Sequence, residues 1–255
     1  MRRHTLWLAL AVLVAPALVQ VASAQTSDQS AVDAVVEKHL AAVGGRAVLA
    51  KLTSRQATGT VTVGTPNGDL SGPVEISTTA PNKSRALMEI DLSPVGVNQT
   101  MTIDQRFDGT TGWTLNPLQG DAEITGNQLE NLKHNLFPNQ LMGYKGVGTT
   151  VTLQPGEKIG DKDMIVLLTA PKTGSAVKIL LDATTYLVAR TVTMVEAPEL
   201  GGTVEQVSDL SDYRAVDGVQ LAFSTVTSAG PQTVTITLTK IVHNVALDEA
   251  MFKGR

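Results

Sequence analysis

The strictest constraint on this chain is a period of two. From Thr233 to Val242, the residues Val234, Ile236, Leu238 and Val242 fall on one side with Lys240, and Thr233, Thr235, Thr237 and Thr239 on the other. Side chains alternate across a strand, so the pattern demands a β-strand with one buried and one wet face. Val219, Leu221 and Phe223 alternate with Gln220, Ala222 and Ser224 in the same way. Val216-Asp217-Gly218 separates that run from Val204–Tyr213. Asp-Gly takes the positive φ that a tight hairpin turn requires. Residues 204–242 therefore predict an antiparallel meander with one oily face, and the rest of the chain must supply its cover.

Much of the rest repeats the pattern. Gln56–Val63, Gly72–Thr79, Lys83–Leu92, Asn98–Phe107 and Trp113–Asn116 read as strands. Thr149–Leu153, Met164–Thr169, Ala176–Leu181 and Leu187–Val195 follow. Pro66-Asn67-Gly68, Pro81-Asn82, Asp108 to Gly112, Gly160-Asp161-Lys162 and Asp182 to Thr185 supply turns. So many short strands suit one large antiparallel sheet or barrel in a single domain, residues 25–255.

Helical periodicity appears in two places. Val32, Val35, Val36, Leu40 and Val43 form a stripe that Ser27 or Asp28 can cap and Gly44-Gly45 can end. A short helix over Arg46–Leu52 follows. Leu129, Leu132, Leu136 and Phe137 form the second stripe, over Asn127–Phe137, before Pro138.

The start of the chain is set apart. Arg2, Arg3 and His4 precede an apolar run from Leu6 to Val19, and Ala22-Ser23-Ala24 supplies the small residues of a cleavage site. This predicts a signal peptide over residues 1–24, an exported protein and a periplasmic location. The formal net charge is −4, and loss of Arg2 and Arg3 makes the remainder more acidic. An acidic surface without a basic run argues against nucleic acid as a partner. The chain has no cysteine, which rules out disulfides and Cys-ligated zinc.

Reaction chemistry is scarce. His39, His134 and His243 belong to no catalytic or HExxH pattern, and each reads as a packing or surface residue. Asp209, Asp212 and Asp217 do not fit an EF-hand loop. Gly143, Gly146 and Gly148 lack the Lys-Ser/Thr and helix of a phosphate loop. The expectation is no enzyme, no metal and no cofactor.

Methionine on the oily strand faces is the more informative signal, because its flexible, polarizable side chain suits a cavity for varied chains. Met88 falls in register with Ile90 and Leu92, Met101 with Ile103 and Phe107, Met164 with Val166 and Leu168, and Met194 with Val188 and Val192. Ordinary core packing is the competing reading of these residues. With Trp113 and the helical Leu132, Leu136 and Phe137, the candidate cavity residues are Met88, Ile90, Met101, Ile103, Phe107, Trp113, Leu132, Leu136, Phe137, Met164, Val192 and Met194.

Several pieces occur in a familiar order. They are Val36-Glu37-Lys38-His39-Leu40 through Gly44-Gly45, Asp108-Gly109 with Gly112-Trp113, and Gly156-Glu157 with Gly160. Then come Leu181-Asp182 before Thr185, Tyr213-Arg214 with Val216-Asp217-Gly218-Val219, and Asn244-Val245 with Phe252. Over about residues 34–253 the chain resembles the outer-membrane lipoprotein-sorting-protein-like family, related to the periplasmic lipoprotein carrier (LolA-like). One departure is Ala222, where relatives often carry Pro. The resemblance implies a mainly β fold: a curved antiparallel sheet forming an unclosed half-barrel, with helices packed in its concave mouth. It further implies a soluble, monomeric binding protein for lipid, acyl chain or lipoprotein, with an envelope membrane protein as a possible partner. Similar domains form non-catalytic tails on some insulinase-type peptidases, so an accessory domain pairing with a peptidase or envelope complex stays open. None of the carrier's gating residues falls on a motif here.

Overall fold

A computed structural model describes residues 29–65, 68–117, 120–197 and 202–254. The targeting segment and the caps Ser27 and Asp28 lie outside them, as do Pro66 and Asn67. The described strands build one antiparallel sheet of 13. The first meander holds β1 (Ser54–Thr65), β2 (Gly68–Thr79), β3 (Lys83–Asp91), β4 (Thr100–Phe107), β5 (Gly112–Leu115) and β6 (Ala122–Ile124). The second holds β7 (Thr150–Ile159), β8 (Lys162–Ala170), β9 (Val177–Asp182), β10 (Val188–Ala197), β11 (Gly202–Val216), β12 (Val219–Ala229) and β13 (Gln232–His243).

The first and last strands, β1 and β13, pair at the centre and join the two meanders. The edges, β6 and β7, do not pair with each other, so the sheet is an unclosed half-barrel. The connection from β6 to β7 must therefore cross the open mouth. That crossing carries helix α3 (Gly126–His134) and the turns after it. The helix stops short of the predicted Phe137. Edge β7 is blunted by a register shift at Gln154/Glu157, with Pro155 inside it and exposed Glu157 and Lys158 beyond.

The expected meander at the C-terminal end is present, with Asp217 (φ 52°) and Gly218 (φ 81°) in the left-handed region of the β11–β12 turn. Its alternation is not uniform. A bulge opposite Thr58/Gly59 shifts the β13 register between Leu238 and Lys240. Leu238 faces the helices, but Lys240 and Val242 turn outward and Ile241 and His243 turn inward, which corrects the single-face reading of 233–242. The bulge keeps the Lys240 charge out of the core.

Helix α1 (Gln29–Ala42) lays Val32, Val36 and Leu40 against Val151, Leu167, Ile179 and Leu181 of the second meander. Gly44 (φ 130°) and Gly45 (φ 87°) end it as expected, and Gly45 N–H donates back to Leu40 O at 2.8 Å. The helix end docks on β12, where Gln220 N–H donates to Val43 O at 3.1 Å. A one-turn helix α2 (Arg46–Leu49) follows. On the outer face of the first meander, buried Asp104 accepts two bonds from Arg85, both 2.8 Å, and two from Arg106. Burial alone would raise its pKa, but the two guanidiniums outweigh it and hold the carboxyl below its usual value.

Candidate ligand-binding cavities

Two neighbouring cavities lie between the sheet and the segment that crosses its mouth. The larger, about 410 Å³, is walled by Gln105 on β4, Thr191 and Thr193 on β10, Gln206 on β11, and Gln128 and Leu132 on α3. β4 and β10 are far apart in strand order, yet they face the same space, so the sheet curls around it. Its lining is rich in amides and hydroxyls, unlike the oily lining that the sequence led us to expect.

The smaller cavity, about 280 Å³, lies beneath α1 and is mostly apolar. Val43 and Leu49 cover it, and Ile179, Val219, Leu221 and Ile241 form much of its floor. Gln140 and Leu141 wall both cavities, so the 138–141 segment is the partition between them. His39 fixes that partition: its Nδ1 lies 2.9 Å from Tyr186 O and its Nε2 3.0 Å from Asn139 Nδ2. Tyr213 also lines the apolar cavity. Its hydroxyl donates to Val188 O at 2.7 Å, and burial pushes its pKa up to about 12, so it stays a neutral phenol.

α3 is pinned from both wings. Asn82, in the β2–β3 turn, donates through Nδ2 to Lys133 O at 3.1 Å, and Phe137 N–H donates to Pro81 O at 2.8 Å. On the other side Ser175 N–H donates to Asn131 Oδ1 at 2.7 Å. Leu132 of α3 sits over Gly112, where a Cβ would come within 3.2 Å of it.

The structure divides the candidate residues between faces. Met88, Ile90, Met101, Ile103 and Phe107 share the inner face, in the pairs Met88↔Ile103 and Ile90↔Met101. Met88, Ile90 and Met101 belong to a satellite cluster with Val61 and Val74, beyond both cavities. Leu132 lines the larger cavity, Leu136 packs on Gly143, and Phe137 joins the α1 core. The other four lie elsewhere. Trp113 pairs with Arg106 on the outer face, against the chain near Gly254. Met164 and Val192 pack in an outer cluster with Val166 and Leu180. Met194 is 48% exposed on that same face. The cause in β10 is a bulge at Ala189: Val188 points inward, but Val192 and Met194 point outward. The residue missed by sequence reasoning is Arg55, which lines the apolar cavity and stacks 5.6 Å from the Phe137 ring centre.

Asp209, Asp212 and Asp217 go to three different partners: Arg190, Arg214 and His243. Among the described residues no cluster of three potential metal ligands occurs, and no helix is long and apolar enough to cross a membrane.

A curved, unclosed sheet with its helices in the mouth defines a half-barrel. The particular fold is LolA-like. An outer membrane lipoprotein-sorting protein domain from Vibrio parahaemolyticus superposes with a TM-score of 0.57 at 12% identity, over 86% of this chain and 94% of that one. A LolA superfamily protein from Nitrosomonas europaea gives 0.55 at 12% identity, over 87% and 97%. A DUF1329 family protein from Desulfovibrio piger gives 0.56 at 14% identity, over 87% and 97%. No protein-family signature and no curated protein matches the sequence.

Proposed function

We propose that this protein is an exported, non-catalytic binding protein of the periplasm. It holds a hydrophobic ligand, an acyl chain, lipid or lipoprotein, between the sheet and the segments in its mouth. Transport of lipid or lipoprotein toward the outer membrane is the role this reading favours. The observation that carries it is the apolar cavity under α1, walled by Val43, Leu49, Ile179, Val219 and Leu221, next to a larger cavity. Together they reach the size of small-molecule sites, roughly 300–1,000 Å³. Each buried methylene contributes about 0.8 kcal/mol, so about a dozen carbons gain roughly 10 kcal/mol before ordering costs.

The test is organic extraction of protein purified from the exported fraction, followed by mass spectrometry. A stoichiometric acyl-bearing lipid is expected. No extractable lipid, with no saturable uptake of an acyl probe by the purified protein, would sink the carrier reading in favour of an accessory domain. Intact mass should show a chain beginning at Gln25, and retention of residues 1–24 would refute export by cleavage.

A further inference from the structure

We propose that the apolar cavity takes a carboxylate-headed single-chain amphiphile, with its head on Arg55 and its chain along the cavity. The inference rests on the carrier reading and adds the chemical class of the ligand. Arg55 opens into a space lined by no Asp and no Glu. Among the described residues its guanidinium has no hydrogen-bond or ion-pair partner, only the Phe137 ring. Arg55 is half-buried, and a cation drawn partly out of water without a counter-charge is costly, so folded proteins normally pair such groups. Burial lowers the Arg55 pKa, and no acidic neighbour opposes it.

The neighbours of Arg55 are incomplete in the same way. Arg55 is in register with Thr78 on β2 and with His243 on β13, so the three stand in one row on the inner face. The buried Oγ1 of Thr78 has no partner, and neither does the buried Nε2 of His243, whose Nδ1 meets Asp217 at 3.1 Å. A carboxylate in the cavity would accept from the Arg55 fork. One unpaired cation at the wall of an apolar cavity matches an amphiphile's head, with the tail lying over Ala57, Ile241 and Leu221.

Charge selects the head group. Arg55 is the one permanently charged residue lining the cavity, and His39 there is already bonded through both nitrogens. A monoanion balances one guanidinium, whereas a dianionic phosphate leaves a surplus charge in an apolar space.

Calorimetric titration of the delipidated protein with oleate and with methyl oleate tests this. Oleate should bind the parent at least tenfold more tightly than the ester. Arg55→Met should remove that preference while the ester binds as before. Without ligand, Arg55→Met should melt above the parent, because an unpaired, half-buried cation is gone. This readout also shows that the variant folds. Equal binding of oleate and its ester by the parent, or undiminished oleate binding by Arg55→Met, would overturn the assignment and leave the carrier reading standing. So would acetate or inorganic phosphate binding as tightly as oleate. Failure of both oleate and its ester to bind the parent would overturn both.

Discussion

Asn139 donates through Nδ2 to His39 Nε2 at 3.0 Å, and the orientation of both side chains is fixed by their other bonds. Asn139 Oδ1 accepts from Leu141 N–H at 2.9 Å, so its nitrogen must face the ring. Tyr186 O can only accept, so the imidazole proton sits on Nδ1. The ring is neutral, buried, and holds the partition between the two cavities to α1.

Burial lowers the His39 pKa below its usual 6.5. The unfolded chain therefore takes up this proton at a higher pH than the folded one. The contribution to stability is complete above the unfolded value and falls as pH drops through 6.5 toward the folded pKa. Melting temperatures measured between about pH 7.5 and 5 should decline, and His39→Gln should decline less. Parallel curves for parent and variant would contradict this.

Gly44 and Gly45 separate two costs of adding a side chain. Both have positive φ, but a Cβ on Gly44 would press into the Gly218 carbonyl, whereas one on Gly45 meets nothing within 4 Å. Gly45→Ala should lose about 1–2 kcal/mol from backbone strain alone. Gly44→Ala should lose more, because α1 must lift from β12. Urea midpoints of the two variants give the comparison, and equal losses would mean the docking contributes nothing.

Asp104→Asn leaves Arg85 and Arg106 facing an amide in place of a carboxylate. Breaking a buried pair in this way costs about 3–5 kcal/mol, and chemical unfolding should show a loss of that order. Asp212→Asn, at the exposed pair with Arg214, should be silent in the same assay. Similar losses at the two sites would mean that burial does not set the strength of these pairs.

The two faces of the sheet should respond differently to a polar side chain. Leu238 lines the apolar cavity, while Met194 stands on the outer face. Leu238→Asn should weaken an acyl probe about tenfold, since about 1.4 kcal/mol gives that factor. Met194→Asn should leave probe binding unchanged. A loss at Met194 without one at Leu238 would place the ligand outside the mouth.

The meanders, the Asp217-Gly218 turn and the α1 stripe with its glycine stop are legible because each rests on a local period or on a turn residue. The inner-face register of Met88, Ile90, Met101 and Ile103 is legible for the same reason. Errors enter where one extra residue inverts the alternation. Neither Ala189 nor Thr239 is a glycine or proline, and the residues on either side of each remain self-consistent. Only the partner strand reveals the slip. A strand's own alternation also cannot say which face is inner, which is why Trp113 was misplaced. At three residues, β6 is too short to show a period. Arg55 carries no signal of its own, because its meaning comes from the apolar cavity and the Phe137 ring that the fold brings to it.

A closed barrel sets its own girth, since strand number and stagger fix the diameter. Here β6 and β7 never meet, so the girth is set by what is stretched between the wings. α3 and the residues just after it act as a clasp, fastened to one wing through Asn82 and Pro81 and to the other through Ser175, Thr173 and Glu196. Unfastening either end widens the mouth without breaking a single strand pairing. The room available to a guest is thus governed by the few hydrogen bonds at the two ends of this clasp more than by the thirteen strands around it.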